Sequence, residues 1–498
     1  MTPLDIGVLV LYGCAVLALG AAAARRSRAA ETSSHDWSLA GRSLPTWAAA
    51  TSMIATELSA ATFLGVPHAA YTGDWSYLQL AFGALAGKAI LARWVIPRYH
   101  ALEVVTVYGF LGRRFGVSAR RAAAACFVAG RTLASGARLF IAALALSVAA
   151  DWSVEASIVG CGVLCALYTR AGGLRAVVWT DILQAGVLLG GAGVLAVLLG
   201  HEAGGAGALL EWGSARGSTR VFHGSPWLSV GDSTALGTAF LGGLALTLAT
   251  HGTDHDMVQR LLAARSGRAG GRALWSSAWL NFPLTALFLF IGTGLAAHYA
   301  APGAPPPSDP ARVVALFALD ALPSGLRGLL FAGLFAAAMS SLDSAVCAIA
   351  TTWHTDLAGR PDAAPADARR LRSTSLLAST GVVVAAIAVA AYHRALAGSD
   401  HPPALGLVEV ALSSMTVLYG GLLGVFAVGL FTRWRVSPAG VIASLAGGAA
   451  VGLGLFLHPL WTGAPLIAWT WWVPLGAAAA TAVAGLDAWR GRRTRLRD

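Results

Sequence analysis

Apolar stretches of about twenty residues recur along nearly the whole chain, separated by short polar segments. Each is long enough to cross the hydrocarbon core of a bilayer as a helix. The pattern predicts thirteen spans, at about 4–24, 46–71, 75–96, 122–150, 153–170, 174–200, 232–261, 273–298, 324–354, 373–392, 404–431, 437–457 and 465–487. The second and seventh are interrupted by polar residues: Thr51, Ser52, Thr56, Glu57, Ser59 and Thr62 in one, Thr247, Thr250, His251, Thr253, Asp254 and Asp256 in the other. Five spans separate their starting points. Broken helices at corresponding positions of two halves point to the binding site of a secondary transporter.

Charge placement adds an orientation. Arg25, Arg26, Arg28 and Arg42 follow the first span, Arg98, Arg113, Arg114, Arg120 and Arg121 the third, and Arg170 and Arg175 the fifth. Arg260, Arg265, Arg268 and Arg272 follow the seventh, Arg360, Arg369, Arg370 and Arg372 the ninth, and Arg433 and Arg435 the eleventh. Arg490, Arg492, Arg493, Arg495 and Arg497 close the chain. The alternate loops are nearly bare of Arg, so the N-terminus is expected outside and the C-terminus in the cytoplasm. The long loops at about 201–231 and 299–323, the latter holding Ala304–Pro305–Pro306–Pro307–Ser308, fall on the outer side, and neither is large enough for a soluble domain.

Composition agrees: the 498 residues are 56% hydrophobic and 12% charged, about half the charged share of a soluble protein. The formal charge of +11 reflects loop arginines used as orientation signals, not a nucleic-acid surface, and Lys88 is the lone lysine. The N-terminal apolar run is longer than a signal-peptide core and is followed by arginines, so it reads as a retained first helix. Cys14, Cys126, Cys161, Cys165 and Cys347 all fall within spans and read as small packing residues, with no disulfide framework.

Asp343 lies inside an apolar span, at a cost of roughly 2.5–3.5 kcal/mol even on lenient insertion scales. At about 100° per residue, Ala337, Ser340, Ser341, Asp343 and Ser344 share one half of the helix surface. That face suits a small hard cation seeking oxygen ligands; the competing reading is tight packing with Asp343 paired to an Arg. Arg131 and Arg138, seven residues apart in one span, also share a face. A buried Arg needs an anion: a substrate carboxylate, or Glu57, unless it snorkels to the cytoplasmic end. His251 is open to two readings, a hydrogen-bonded packing residue or a pH switch.

Several motifs, in order, resemble the sodium:solute symporter family, which includes sodium-coupled carriers for glucose, proline, iodide, vitamins and sialic acid. They are Ser59–Ala60–Ala61–Thr62–Phe63–Leu64–Gly65–Val66–Pro67, then the most diagnostic stretch from Gly172 to Gln184, Gly252–Thr253–Asp254 with Gln259–Arg260, Met339–Ser340–Ser341–Leu342–Asp343–Ser344, and Tyr419–Gly420–Gly421–Leu422–Leu423–Gly424–Val425–Phe426. The resemblance runs from about residue 36 to 455. It implies an all-α polytopic membrane protein of leucine-transporter type, with inverted five-helix repeats at about 46–200 and 232–431 and peripheral helices at about 4–24, 437–457 and 465–487. The thirteen-span count resembles the branch holding the vitamin and iodide carriers.

Carried over by motif, the resemblance implies a sodium site made by the carbonyls of Ala55, Leu58 and Ala337 and the hydroxyls of Ser340 and Ser341. It implies a further cation site at Asp181, Ser340, Asp343 and Ser344, where Asp343 replaces a hydroxyl found in some members and adds charge. That charge could tighten sodium binding, take a proton instead, or be paired internally. The implied substrate region holds Glu57, Ser59, Thr62, Gln79, Arg131, Arg138, Thr247, Thr250, His251 and Asp254. Sugar carriers of the family have an amide at the position of Glu57, which here could read a cationic group, titrate, or neutralise an Arg.

The expected function is sodium-coupled symport of a small organic solute by alternating access in the inner membrane of a bacterium. Na⁺ is the coupling ion and no other cofactor is expected. A carboxylate on the solute is favoured by the two arginines. A sugar or polyol carrier, a proton-coupled carrier, or a transporter-like sensor stand as alternatives. No outer loop offers paired acids with His, so an enzyme is not expected, and the short tail after the last span leaves no room for a signalling module.

Overall fold

Segments that are apolar all round, or nearly so, must bury their backbone polar groups in helices and pack helix on helix. The computed structural model of the chain describes residues 1–29, 34–150, 152–224, 226–302, 306–307, 312–359, 365–397, 407–462 and 464–495. Ala304, Pro305, Ser308, Arg360 and Arg497 therefore lie outside the described residues. Among the described residues the fold is helical, with no strand beyond one bridge between Leu44 and Ala264. Eight helices there are long and apolar enough to cross a membrane, nine if one bent pair counts as a span.

The principal helices are α1 (Pro3–Ala29), α2 (Thr46–Glu57), α3 (Ala60–Thr72), α4 (Gln79–Ile90), α5 (Val117–Ala150), α6 (Val154–Glu202), α7 (Leu236–Gly252) and α8 (His255–Leu262). They continue with α9 (Gly267–Tyr299), α10 (Leu326–Thr352), α11 (Pro365–Ala397), α12 (Leu407–Phe431), α13 (Pro438–Thr462) and α14 (Trp472–Arg495). Both interruptions expected from the polar residues are present. The α2–α3 segment breaks at Leu58–Ser59 with a 55° bend, and α7 gives way to α8 at Thr253–Asp254.

Two boundaries differ from expectation. The fifth and sixth spans join in α6, bent at Gly173, whose φ of 57° and ψ of −154° suit glycine. A Cβ there would stand 2.5 Å from the Trp37 carbonyl oxygen, so the kink also lets the buried Trp37 pack against α6. The last helix starts at Trp472 instead of about residue 465, because the preceding turn is tied to the loop before α7. Ala468 N donates to Val230 O at 2.8 Å and Trp471 Nε1 to Ser229 O at 2.8 Å.

α10 is the central helix, buried from Ala336 through Thr352 and packed closely on α6. Its small residues let neighbouring backbones approach. The same device joins α4 to α7. A Cβ on Gly83 would sit 2.1 Å from Phe240 O, and one on Gly243 would sit 2.4 Å from Leu80 O. This contact carries Lys88, one turn beyond Gly83, to the end of α7 and the break in the first repeat.

Candidate substrate cavity and cation sites

Helix breaks matter because they release carbonyls from the helical ladder. Leu58 N donates to Ile54 O, whereas Ser59 N donates to Glu57 O at 3.0 Å and Thr62 N to Ser59 O at 2.9 Å. The Ala55 and Leu58 carbonyls thus lose their ordinary donors four residues ahead. α10 brings its hydroxyls to this gap: Ser341 Oγ donates to Thr56 O at 3.3 Å, and Ser340 Oγ lies 3.4 Å from Thr56 Oγ1. Ser340 and Ser341 are both buried. The sodium-site residues implied by the motifs therefore belong to two elements that meet at the break.

Asp181, buried in α6, accepts from Ser52 Oγ at 2.5 Å and from Ser340 Oγ. Asp343 Oδ2 accepts from Thr180 Oγ1, the neighbour of Asp181 in the chain, at 3.4 Å. Ser344 Oγ is engaged with its own helix, donating to Ser340 O at 2.7 Å. Of the four residues of the expected second cation site, Asp181 and Ser340 are in contact, and Asp343 accepts from Thr180.

Below the break, Arg260 is fully buried and donates to Ser52 O at 3.0 Å, to Thr56 Oγ1 and to Asp256 Oδ1 at 3.3 Å. Asp256 also pairs with Arg131, which donates in addition to Asp254 Oδ2 at 3.1 Å. Tyr419 Oη donates to the same Asp254 oxygen at 2.5 Å. Asp254 caps α8 by accepting from Asp256 N at 2.9 Å. A continuous polar chain therefore links the sodium-site helix to the floor of the cavity: Asp181, Ser52 and Ser340, Thr56, Arg260, Asp256, Arg131, Asp254 and Tyr419.

The cavity has a volume of about 200 Å³ and is lined by Thr56, Glu57, Leu58, Ser59, Thr62, Tyr77, Arg131, Arg138, Thr247, Thr250, His251, Met257, Asn281, Thr285, Tyr419 and Trp469, among others. Glu57 does not meet either arginine. Its carboxylate accepts from Lys88 Nζ at 2.9 and 2.7 Å and lies 3.0 Å from His251 Nε2. Lys88 is buried and donates also to Ser277 Oγ at 3.1 Å; His251 Nδ1 faces Thr250 Oγ1 at 2.8 Å. Glu57 ends α2, where the helix dipole disfavours an anion, so Lys88 offsets both that effect and burial.

Eight of the ten residues expected at the substrate meet at this cavity: Glu57, Ser59, Thr62, Arg131, Arg138, Thr247, Thr250 and His251. Asp254 lies behind Arg131 and serves it as counter-ion. Gln79 is not among the residues that line the cavity. Its Nε2 donates to Val221 O at 2.6 Å and Thr234 O at 3.0 Å, tying two segments of the 201–235 region together. Lys88, Arg260, Asn281, Thr285 and Trp469 were not among the expected residues. A lone lysine within an apolar span was a usable signal; Asn281 and Trp469 carry none until the chain is folded.

A family-wide sequence model named Sodium:solute symporter family matches residues 37–448. The chain belongs to that family. The symporter is similar to the sodium/sialic acid symporter NanT of Aliivibrio fischeri, with 28% identity over 445 residues, spanning 88% of this chain and 85% of the relative. Among solved structures, a substrate-bound, outward-open Na⁺-coupled sialic acid symporter superposes with a TM-score of 0.84 at 23% identity, covering 98% of each chain. Mhp1, a nucleobase-cation-symport-1 family transporter in a closed conformation, superposes with a TM-score of 0.58 at 17% identity, covering 91% of this chain and 94% of its own. The symporter is thus an integral membrane carrier that couples a solute to sodium, and it is not an enzyme.

Proposed function

We propose that the symporter imports a small, carboxylate-bearing organic solute and reads the carboxylate with Arg138. The observation that carries this reading is the division of labour between two arginines on one face of α5. Both border the cavity: Arg131 is paired with Asp254 and Asp256, and Arg138 lies two turns further along. A guanidinium presents five donors in a planar fork that matches a carboxylate. Across the cavity, Glu57 is held by Lys88 and His251, and Ser59, Thr62, Thr247, Asn281 and Thr285 present hydroxyls and an amide to the polar remainder of the solute. The similarity to two sialic acid symporters fits a cargo that is at once an acid and a polyol.

In this reading sodium binds at Ala55, Leu58, Ala337, Ser340 and Ser341, and its charge closes the break that also forms one wall of the cavity. Sodium and solute then stabilise the same arrangement of α2, α3 and α10, which is the physical content of coupling. The chain is proposed to span a bacterial inner membrane thirteen times, with the N-terminus outside and the C-terminus in the cytoplasm. The test is uptake into proteoliposomes under an inward sodium gradient, with sugar acids, monocarboxylates, neutral sugars and polyols as cargo. Arg138→Ala should abolish solute binding while sodium still stabilises the purified protein against heat, and Arg138→Lys should rescue poorly. Full uptake of a neutral polyol with acids ignored would overturn the carboxylate assignment, and sodium-independent uptake would overturn the coupling.

A further inference from the structure

The cavity is not polar all round. α2, α3, α5 and α9 bring hydroxyls, an amide and charged groups to it, but α4 and α7 also present Leu80, Ala81, Ala84, Gly243 and Leu246. Trp469 joins these from a distant part of the chain, the short turn Trp469–Trp471 between α13 and α14. That turn lies beyond both repeats implied by the motifs, yet it is firmly seated. Ala468 N donates to Val230 O and Trp471 Nε1 to Ser229 O, each at 2.8 Å. Ser229 is itself fixed to the first turn of α7, its N–H donating to Thr238 Oγ1 at 2.9 Å. Thr470 is buried against Gly242 of α7, where a Cβ would stand 2.6 Å from Thr470 Cβ. The next residue, Gly243, makes the close approach to Leu80. α7 is thus bare of side chains where α4 and this turn press on it, and that missing bulk lets the turn sit beside the cavity.

Three neighbouring indoles are used differently. Trp471 spends its N–H on Ser229, and Trp472 is fully buried. Trp469 is half-buried and borders the cavity, and among the described residues nothing accepts from its N–H. An indole offers a broad apolar face and one polar donor. Binding cavities bury most of a ligand against such surfaces and orient it with a few polar groups. We propose that Trp469 is a solute-contacting residue that selects a ring-shaped, sugar-like acid over a small linear one. Its face covers the C–H face of the ring, while the polar residues read the hydroxyls and the carboxylate. This assignment rests on the carboxylate reading above and deepens it.

The experiment uses the full-length protein in proteoliposomes under an inward sodium gradient. Sialic acid and glucuronate serve as ring acids and lactate as the linear one. Trp469→Ala should raise KM for the ring acids by about tenfold or more, the scale on which apolar pocket contacts discriminate. Trp469→Phe keeps an aromatic face and should recover much of that loss. Sodium-induced thermal stabilisation of Trp469→Ala, measured without solute, should match the parent, whereas a merely structural role would lower it. Parent-like KM for the ring acids in Trp469→Ala would overturn the assignment, as would a raised KM accompanied by lost sodium stabilisation. A parent that carries lactate and no ring acid would overturn the assignment and leave the carboxylate reading intact. A parent that carries neutral sugars and ignores acids would overturn the carboxylate reading instead. KM for a neutral pyranose in Trp469→Ala would then decide the role of Trp469 in the same way.

Discussion

Lys88→Met is the most informative single perturbation of the cavity. The ammonium makes two contacts with Glu57, at 2.7 and 2.9 Å, and one with Ser277 at 3.1 Å. The two side chains are 2% and 13% exposed, so the pair is almost dry. Removing one partner of a buried ion pair costs about 3–5 kcal/mol because the other charge is stranded. Glu57 keeps His251 and borders the cavity, so the low end, about 3 kcal/mol, applies. Glu57→Gln alone strands Lys88 beside a neutral amide at about 2 kcal/mol. In the double variant no charge remains, and an uncharged pair of similar volume should return to within about 1 kcal/mol of the parent. Simple addition of the singles would give about 5 kcal/mol, so the coupling term is about 4 kcal/mol. Equilibrium unfolding in mixed micelles, followed by circular dichroism for parent, singles and double, closes the cycle. Additivity to within about 0.5 kcal/mol would refute the argument that Glu57 exists as the partner of Lys88.

Other outcomes follow from the same structure. Ser340→Ala and Ser341→Ala should each weaken apparent sodium affinity, and solute affinity at fixed sodium should weaken with it, as titrations of solute binding at several sodium concentrations would show. Arg131→Ala leaves Asp254 and Asp256 short of a counter-ion and should cost about 3–5 kcal/mol of stability, a loss that Asp254→Asn in the same protein partly recovers in thermal melts. Gly83→Ala places a Cβ 2.1 Å from a backbone oxygen and should sharply lower the yield of folded protein, whereas Gly190→Ala, with nothing within 4 Å, should be neutral or slightly stabilising by size-exclusion profile and melting temperature.

Hydrophobic periodicity, loop charge and the polar residues inside two spans were enough to indicate a helical membrane carrier, its two breaks and the face of α10 that meets the first break. Those features are local: a twenty-residue apolar run must be a helix in lipid, and a Ser–Ser–Asp run at helical spacing must share a surface whatever surrounds it. Charge pairing was not local. Arg131 and Glu57 were plausible partners by count alone, but the glycine contact between α4 and α7 delivers Lys88 to Glu57, and the break before α8 delivers Asp254 and Asp256 to Arg131. Which arginine pairs with the acids of α8, where Gln79 donates and which residue of α6 donates to Asp343 are set by helix packing between residues far apart in the chain. Ion pairs need their groups within about 4 Å, and only the tertiary structure fixes distances at that scale.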